Sequence, residues 1–225
     1  MTFPGPWLVL LPAQAVRPGA PPVPARLRGE DLVAWRTAAG ALQVWHDRCP
    51  HRGVRLSLGR VETDHLACAY HGWAFRAGDG RCTQIPALAD LAQVPGDVRA
   101  TPWPAREHAG MVWVHPGAGP SDGAPPGIAT DDARFLRTLT LRVPPEALQQ
   151  PLQDRGFAPL AGPVWQGALA GRTLRLFVQE MQPDLLGLHA WDCDGVQVDD
   201  PLPVLAALRQ LRDDVEATSG GAGAR

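Results

Sequence analysis

The chain has 225 residues, enough for one or two domains with a sizeable core, and a formal net charge of −2. That balance removes the electrostatic case for nucleic acid or an anionic membrane surface as a partner. All 21 basic residues are arginine, a bias that goes with the Ala, Gly and Pro load and not with a binding chemistry.

The N-terminus has no basic stretch, and its apolar run Trp7 to Leu11 is too short for a signal peptide or a membrane span. A soluble cytoplasmic protein is expected. Short strands broken by prolines are predicted at Trp7 to Leu11, Val23 to Arg28 and Asp31 to Thr37, with a turn through Gly40 and a returning arm at Ala41 to Trp45. Further strands are predicted at His65 to Ala69, Trp73 to Arg76, Arg81 to Ile85 and Gly110 to His115, with Gly78 and Gly80 in the turn between the second and third. Residues 86–104 read as irregular. The expected fold is mainly β: an antiparallel β-sandwich over residues 1–116, with chemistry at one end. Residues 117–129 read as a Gly-, Ala- and Pro-rich linker. A smaller α+β unit is expected over 130–217, with strands at Phe135 to Val143, Val164 to Leu169, Thr173 to Met181 and Asp184 to Trp191. Its helix is predicted at Leu202 to Ala217, where Val204, Leu208, Leu211 and Val215 recur at spacings of four, three and four. Residues 218–225 read as a disordered tail.

Between these elements lie Cys49-Pro50-His51-Arg52-Gly53 and, with sixteen residues intervening after His51, Cys68-Ala69-Tyr70-His71-Gly72. Two Cys-His pairs at the tips of two loops are the donor set of a Rieske [2Fe–2S] centre, in which thiolates hold one iron and imidazoles the other. Cys49, His51, Cys68 and His71 are the candidate metal ligands. Replacing two of four thiolates by neutral imidazoles removes negative charge and raises the potential above that of an all-cysteine cluster. Gly53 and Gly72 allow the tight turns that bring amide N–H groups toward sulfur. Structural zinc is the competing reading, but zinc sites more often pair C-x₂₋₄-C with H-x₃₋₅-H. Cys82 and Cys193 are left over and are expected to be free thiols in a reducing compartment.

The run Cys49-Pro-His-Arg-Gly-Val-Arg-Leu-Ser-Leu-Gly-Arg-Val-Glu62, then Leu66-Ala-Cys-Ala-Tyr-His-Gly-Trp-Ala-Phe75, then Gly80-Arg-Cys-Thr-Gln-Ile-Pro86 closely resembles the Rieske domain of ring-hydroxylating and demethylating oxygenases. The resemblance is to their terminal oxygenase subunits, of the vanillate demethylase or phenylpropionate dioxygenase kind, and covers Trp7 to Pro116. The Rieske proteins of cytochrome bc complexes differ: they carry two further cysteines where this chain has Val54 and Tyr70, and a serine hydroxyl where it has Trp73. Fewer hydrogen bonds to sulfur imply a potential nearer the low end of the Rieske range, about −150 mV and not +300 mV.

The resemblance implies that the second unit is a remnant of an oxygenase catalytic domain, which in the family holds a mononuclear ferrous iron by two histidines and a carboxylate. Two of those ligands follow the helical pattern Asp-x-x-His-x-x-x-x-His. Its best match here runs from Gln150 to Gly162 and puts Asp154 on the aspartate, but Phe157 and Gly162 where the histidines belong. Beyond His115 the only histidine is His189, read as a packed or surface residue. The expectation is a chain without its own mononuclear iron. It would carry out one-electron transfer, taking electrons from a flavin- or ferredoxin-type reductase and pairing with itself or with an oxygenase subunit. One alternative is an active oxygenase with a partner-supplied or atypical iron site, for example His189 with Asp192, Asp194 or Asp199. The other is a non-enzymatic redox sensor or scaffold. Arg52 and Arg55 flank the first loop and are candidates for guiding an acidic donor. No chemistry is assigned to His46, His65, His108 or His115.

Overall fold

The computed structural model describes residues 7–116, 123–129, 132–195 and 200–220. In the first half the strands are β1 (Leu8–Pro12), β2 (Val23–Leu27), β3 (Glu30–Arg36), β4 (Leu42–His46), β5 (Arg60–Glu62), β6 (His65–Ala67), β7 (Ala74–Arg76), β8 (Cys82–Gln84), β9 (Pro102–Trp103), β10 (Ala105–His108) and β11 (Met111–Val114). The second half contains β12 (Arg134–Leu141), α1 (Glu146–Asp154), β13 (Ala158–Ala161), β14 (Val164–Leu169), β15 (Arg172–Gln182), β16 (Leu185–Asp192) and α2 (Leu202–Gly220). Four sheets form, ordered β1-β11-β10, β2-β3-β4-β9, β5-β6-β7-β8 and β12-β16-β15-β14-β13; every paired strand runs antiparallel to its neighbour.

Period-two alternation explains how the sheets stack. On β3, Leu32 and Ala34 face a core shared with Leu8, Leu10, Val112 and Val114, while Val33 and Trp35 face the other way, toward Leu66, Phe75 and the two loop cysteines. Along β1, the residue before it and β11, the same alternation sends Trp7, Val9, Met111 and Trp113 into a third core with Ile128, Val164, Phe177 and Trp191. On β15, Phe177 joins that core, while Leu174, Leu176 and Val178 pack under α1 and α2. The cores therefore follow one another across the molecule, from the helices at one end to the β5–β8 sheet at the other. The mainly β architecture with a smaller α+β unit is as expected from the sequence.

The two halves are joined by more than a linker. Arg28 and Gly29, at the β2–β3 turn, donate backbone N–H bonds to the Glu180 and Met181 carbonyls at 2.7 and 2.9 Å. The Arg28 guanidinium meets the Glu180 carboxylate at 2.6 Å. At the β10–β11 turn, Gly110 has φ +74, and a Cβ there would lie 2.3 Å from Trp191 Cη2, so only glycine lets that indole seat. Ile128, assigned to the linker from sequence, is 4 % exposed and part of the shared core. Residues 117–122 lie outside the described residues.

Several elements depart from the sequence reading. α2 continues through residues 218–220, which were expected to begin a disordered tail; residues 221–225 are not among those described. The short strands β5, β9 and β10 and the segment α1–β13 were not anticipated. The resemblance places the Asp154 motif on one helix. Instead α1 ends at Asp154, a turn follows, and residues 158–161 are extended, so Phe157 and Gly162 share no helical face.

Candidate metal centre

Cys49 and His51 sit on the loop after β4, and Cys68 and His71 on the loop between β6 and β7. The two loops close by the same pair of backbone bonds. Cys49 N–H donates to the Val54 carbonyl and Gly53 N–H to the Cys49 carbonyl, both at 2.8 Å. Cys68 N–H donates to the Trp73 carbonyl at 2.9 Å and Gly72 N–H to the Cys68 carbonyl at 3.1 Å. Each loop thus opens on cysteine and returns at a glycine with positive φ, +74 at Gly53 and +68 at Gly72. The histidine falls two residues after cysteine in the first loop and three after it in the second. Asp47 braces the first loop, its buried carboxylate accepting the Ser57 N–H at 2.7 Å and the Ser57 hydroxyl at 2.6 Å.

The donors form two layers. Cys49 and Cys68 are buried, on the core that contains Trp35, Trp45, Leu56 and Phe75. His51 and His71 are exposed, with their Nδ1 atoms 3.1 Å apart. Two imidazole nitrogens bound to one metal at roughly 2.1 Å, about 95° apart, would lie ~3.1 Å from each other. Trp73 stacks on His51 at 4.2 Å and 4°, and Tyr70 stacks on His71 at 3.8 Å, holding both rings in place. Tyr70 is itself 56 % exposed, so it orients its imidazole without sealing the site from water.

Burial pushes the Cys49 thiol up to about 11; N–H bonds from His51 and Arg52 oppose the rise, and the neighbouring Cys68 adds to it. Two adjacent buried thiolates are stable only when cations take up their charge, as metal ions do. Among the described residues no three His, Cys, Asp or Glu side chains converge as a seat for a single ion. The donors fit a two-iron cluster better than one tetrahedral zinc, because they are grouped as a thiol pair and an imidazole pair.

The other candidates lie elsewhere. His189 is 2 % exposed, in the five-stranded sheet, and both ring nitrogens are engaged: Nδ1 with the Thr138 hydroxyl at 2.8 Å and Nε2 with Gln179 Oε1 at 3.1 Å. Asp192 is buried against Arg172 at 2.7 Å, and Asp194 accepts the Thr173 N–H at 3.1 Å. Asp199 is outside the described residues. Phe157 is buried in the apolar core under α1 and α2, and Gly162 lies in a turn against Pro126. Asp154 is exposed and accepts a bond from Gln150 at 2.7 Å. No disulfide joins any of the four cysteines, Cys82 and Cys193 included. Arg55 is paired with Asp31 at 3.1 Å. The sequence reading missed Arg48 and Arg99, which line a cleft of about 350 Å³ beside His51 together with Arg52. Arg48 directly precedes the first cysteine, but Arg99 is brought there only by the fold.

A family model of the Rieske [2Fe-2S] domain matches residues 6–95. The chain is 43 % identical over 111 residues to the 3-chlorobenzoate-3,4-dioxygenase oxygenase subunit of Comamonas testosteroni, covering 49 % of this chain and 26 % of that protein. It is 39 % identical over 120 residues to the phthalate 4,5-dioxygenase oxygenase subunit of Pseudomonas putida, covering 52 % and 26 %. The matched stretch therefore spans about a quarter of each of these relatives. Among solved structures, dicamba monooxygenase bound to dicamba has the same fold at a TM-score of 0.73 and 18 % identity, over 97 % of this chain and 90 % of that one. The likeness in fold thus takes in the second half as well as the first. No described helix is long and apolar enough to cross a membrane. Residues 6–95 are a Rieske [2Fe-2S] domain, a redox module whose cofactor is a [2Fe–2S] cluster, and this stretch is similar to that of dioxygenase oxygenase subunits.

Proposed function

We propose that the chain is a one-electron transfer protein in an oxygenase-type redox system, with Cys49 and Cys68 holding one iron and His51 and His71 the other. The cluster supplies a single reversible electron site. The protein's part is to seat the thiols in an apolar core, aim N–H groups at sulfur and present the imidazole edges to solvent, where a partner can reach them.

The observation that carries this reading is the packing of the second half. Where the resemblance would place two iron-binding histidines, Phe157 fills a core and Gly162 makes a turn. His189, the one histidine in that half, has both nitrogens committed to hydrogen bonds. A ferrous site needs ring nitrogens with free lone pairs, and these positions offer none. The second half then serves as a platform, and electrons pass to another protein. A flavin- or ferredoxin-type reductase is the proposed source.

The test is iron and acid-labile sulfide per chain on anaerobically purified protein, with an EPR spectrum after reduction and O₂ uptake in the presence of a reductase. About two irons and two sulfides per chain, a Rieske signal and no substrate-dependent O₂ uptake are expected. A third iron, with O₂ consumption coupled to substrate turnover, would overturn the reading. A second reading is favoured by the fold likeness over both halves: the chain is one subunit of an oxygenase whose iron sits on a partner. Oxygen chemistry that appears only on adding that partner would mark this case.

A further inference from the structure

The two hollows beside the first cluster loop have opposite electrostatics. One is lined by Glu30, Asp31, Asp47, Arg48 and Arg55, and its charges are matched: Asp31 takes Arg26 at 2.7 Å and Arg55 at 3.1 Å. The other is lined by Arg48, Arg52 and Arg99, with His51 and Thr101 between them and no carboxylate in its wall. All three arginines are exposed, and none forms an ion pair among the described residues. Arg48 folds back over the loop, its Nε 3.3 Å from where a Cβ on Gly53 would stand. His71 is not part of this wall; its near neighbour is the exposed ring of Tyr70.

Resting on the electron-transfer reading, we propose that this cleft is the docking site for an acidic electron-carrier protein. Its surface carboxylates would pair with Arg48, Arg52 and Arg99, and its electron would enter at the His51 edge. Unpaired guanidinium groups around a concave wall suit carboxylates, which they bind through two parallel N–H bonds. The chain as a whole is weakly negative at −2, so its net charge does not draw an acidic partner in. Attraction is local to this cleft, which fixes orientation and brings the carrier to His51 and not to His71. One electron leaves the reduced carrier, a [2Fe–2S] ferredoxin for example, and enters the cluster. No bond forms or breaks, and the carrier ends oxidised.

The experiment uses the cluster-loaded protein and an acidic plant-type ferredoxin as probe, with two readouts. The first is calorimetric binding with both proteins oxidised, at low and high salt. The second is the second-order rate of reduction by the reduced ferredoxin. Wild type is expected to bind more weakly and react more slowly as salt rises. The triple variant R48E/R52E/R99E loses about tenfold or more in both readouts and most of its salt dependence. R55E, the same charge change on a paired arginine, changes either by less than about twofold. The neutral lumiflavin semiquinone, generated by flash photolysis at about pH 7, reduces all variants at similar rates if the cluster is intact. Should the triple variant fail to fold, R99E alone, outside both cluster loops, carries the test with the same sign. Failure of the wild type to bind ferredoxin, salt-independent binding, or equal damage from R55E would overturn the docking site. Those results would leave lumiflavin reduction and the electron-transfer reading standing. Substrate-coupled O₂ uptake would sink that reading without touching ferredoxin binding.

Discussion

The chain holds two sets of histidines in opposite states. At one end, His51 and His71 are exposed and bring Nδ1 within 3.1 Å of Nδ1, with each ring stacked on an aromatic neighbour. In the second half, His189 is buried between Thr138 and Gln179, with each nitrogen matched to a partner in the sheet. Residue type alone does not separate a candidate ligand from a structural histidine; what separates them is whether buried polar neighbours already satisfy the ring. Gln179 also reaches across to the Arg26 carbonyl at 2.7 Å, so the second arrangement ties the halves together.

The contrast can be broken most severely at the thiols. Cys68→Ser is expected to lower iron from about two per chain to near zero and to abolish the reduced Rieske signal. His189→Gln should leave both unchanged, measured by iron and sulfide assay with EPR. Equal loss in the two variants would mean that His189 is not merely structural.

Removing the indole that joins the halves comes next. Trp191→Ala should cost about 4 kcal/mol in urea unfolding, because a large side chain that is 8 % exposed leaves a cavity in the shared core. A separate early transition of the second half alone would show that the halves are less coupled than their packing implies.

The third effect is a pH limb. Burial holds the His189 imidazole down at about 4, against an ordinary value of 6.5. Above pH 6.5 neither the folded nor the unfolded chain protonates this ring, so the stability is fully present. As pH falls toward 4 the unfolded chain takes up a proton that the folded chain refuses, and stability drops by up to about 3 kcal/mol. Chemical denaturation between pH 7 and pH 4 should show this limb in wild type and a flatter one in His189→Gln. An unchanged slope in the variant would assign the limb to other groups.

The smallest expected effect is at the half-exposed ion pair between the halves. Glu180→Gln should cost about 1 kcal/mol or less, and less still at high salt. A larger loss would mean that Glu180 acts on the Arg28-Gly29 turn itself.

How far the sequence carried varies from segment to segment, for physical reasons. The two Cys-His loops stood out because a metal centre demands particular donor types at short spacing, and the family model covers both of them. α2 was legible because Val204, Leu208, Leu211 and Val215 follow the helical period, and all four are buried. α1 was missed: Pro144 and Pro145 precede it and Pro151 lies inside it, so its local signals read as chain-breaking. The match over Gln150 to Gly162 crosses a helix end: α1 stops at Asp154, so a pattern that the resemblance places on one helix is split here between a helix, a turn and a strand. The shared core was hidden for another reason. Trp7 to Leu11 is apolar at every position, which says that both faces are covered but not by what. The basic cleft needed the fold as well, since Arg99 stands 47 residues beyond Arg52 in the chain.

Trp7, Trp113, Phe177 and Trp191 interlock residues from both ends of the chain in a single core. A cluster head on a flexible tether can swing between its donor and its acceptor; one clamped through this aromatic seam has no such stroke. On the electron-transfer reading proposed above, the distance between redox partners would be covered by the partners themselves, arriving and leaving in turn at a stationary terminal.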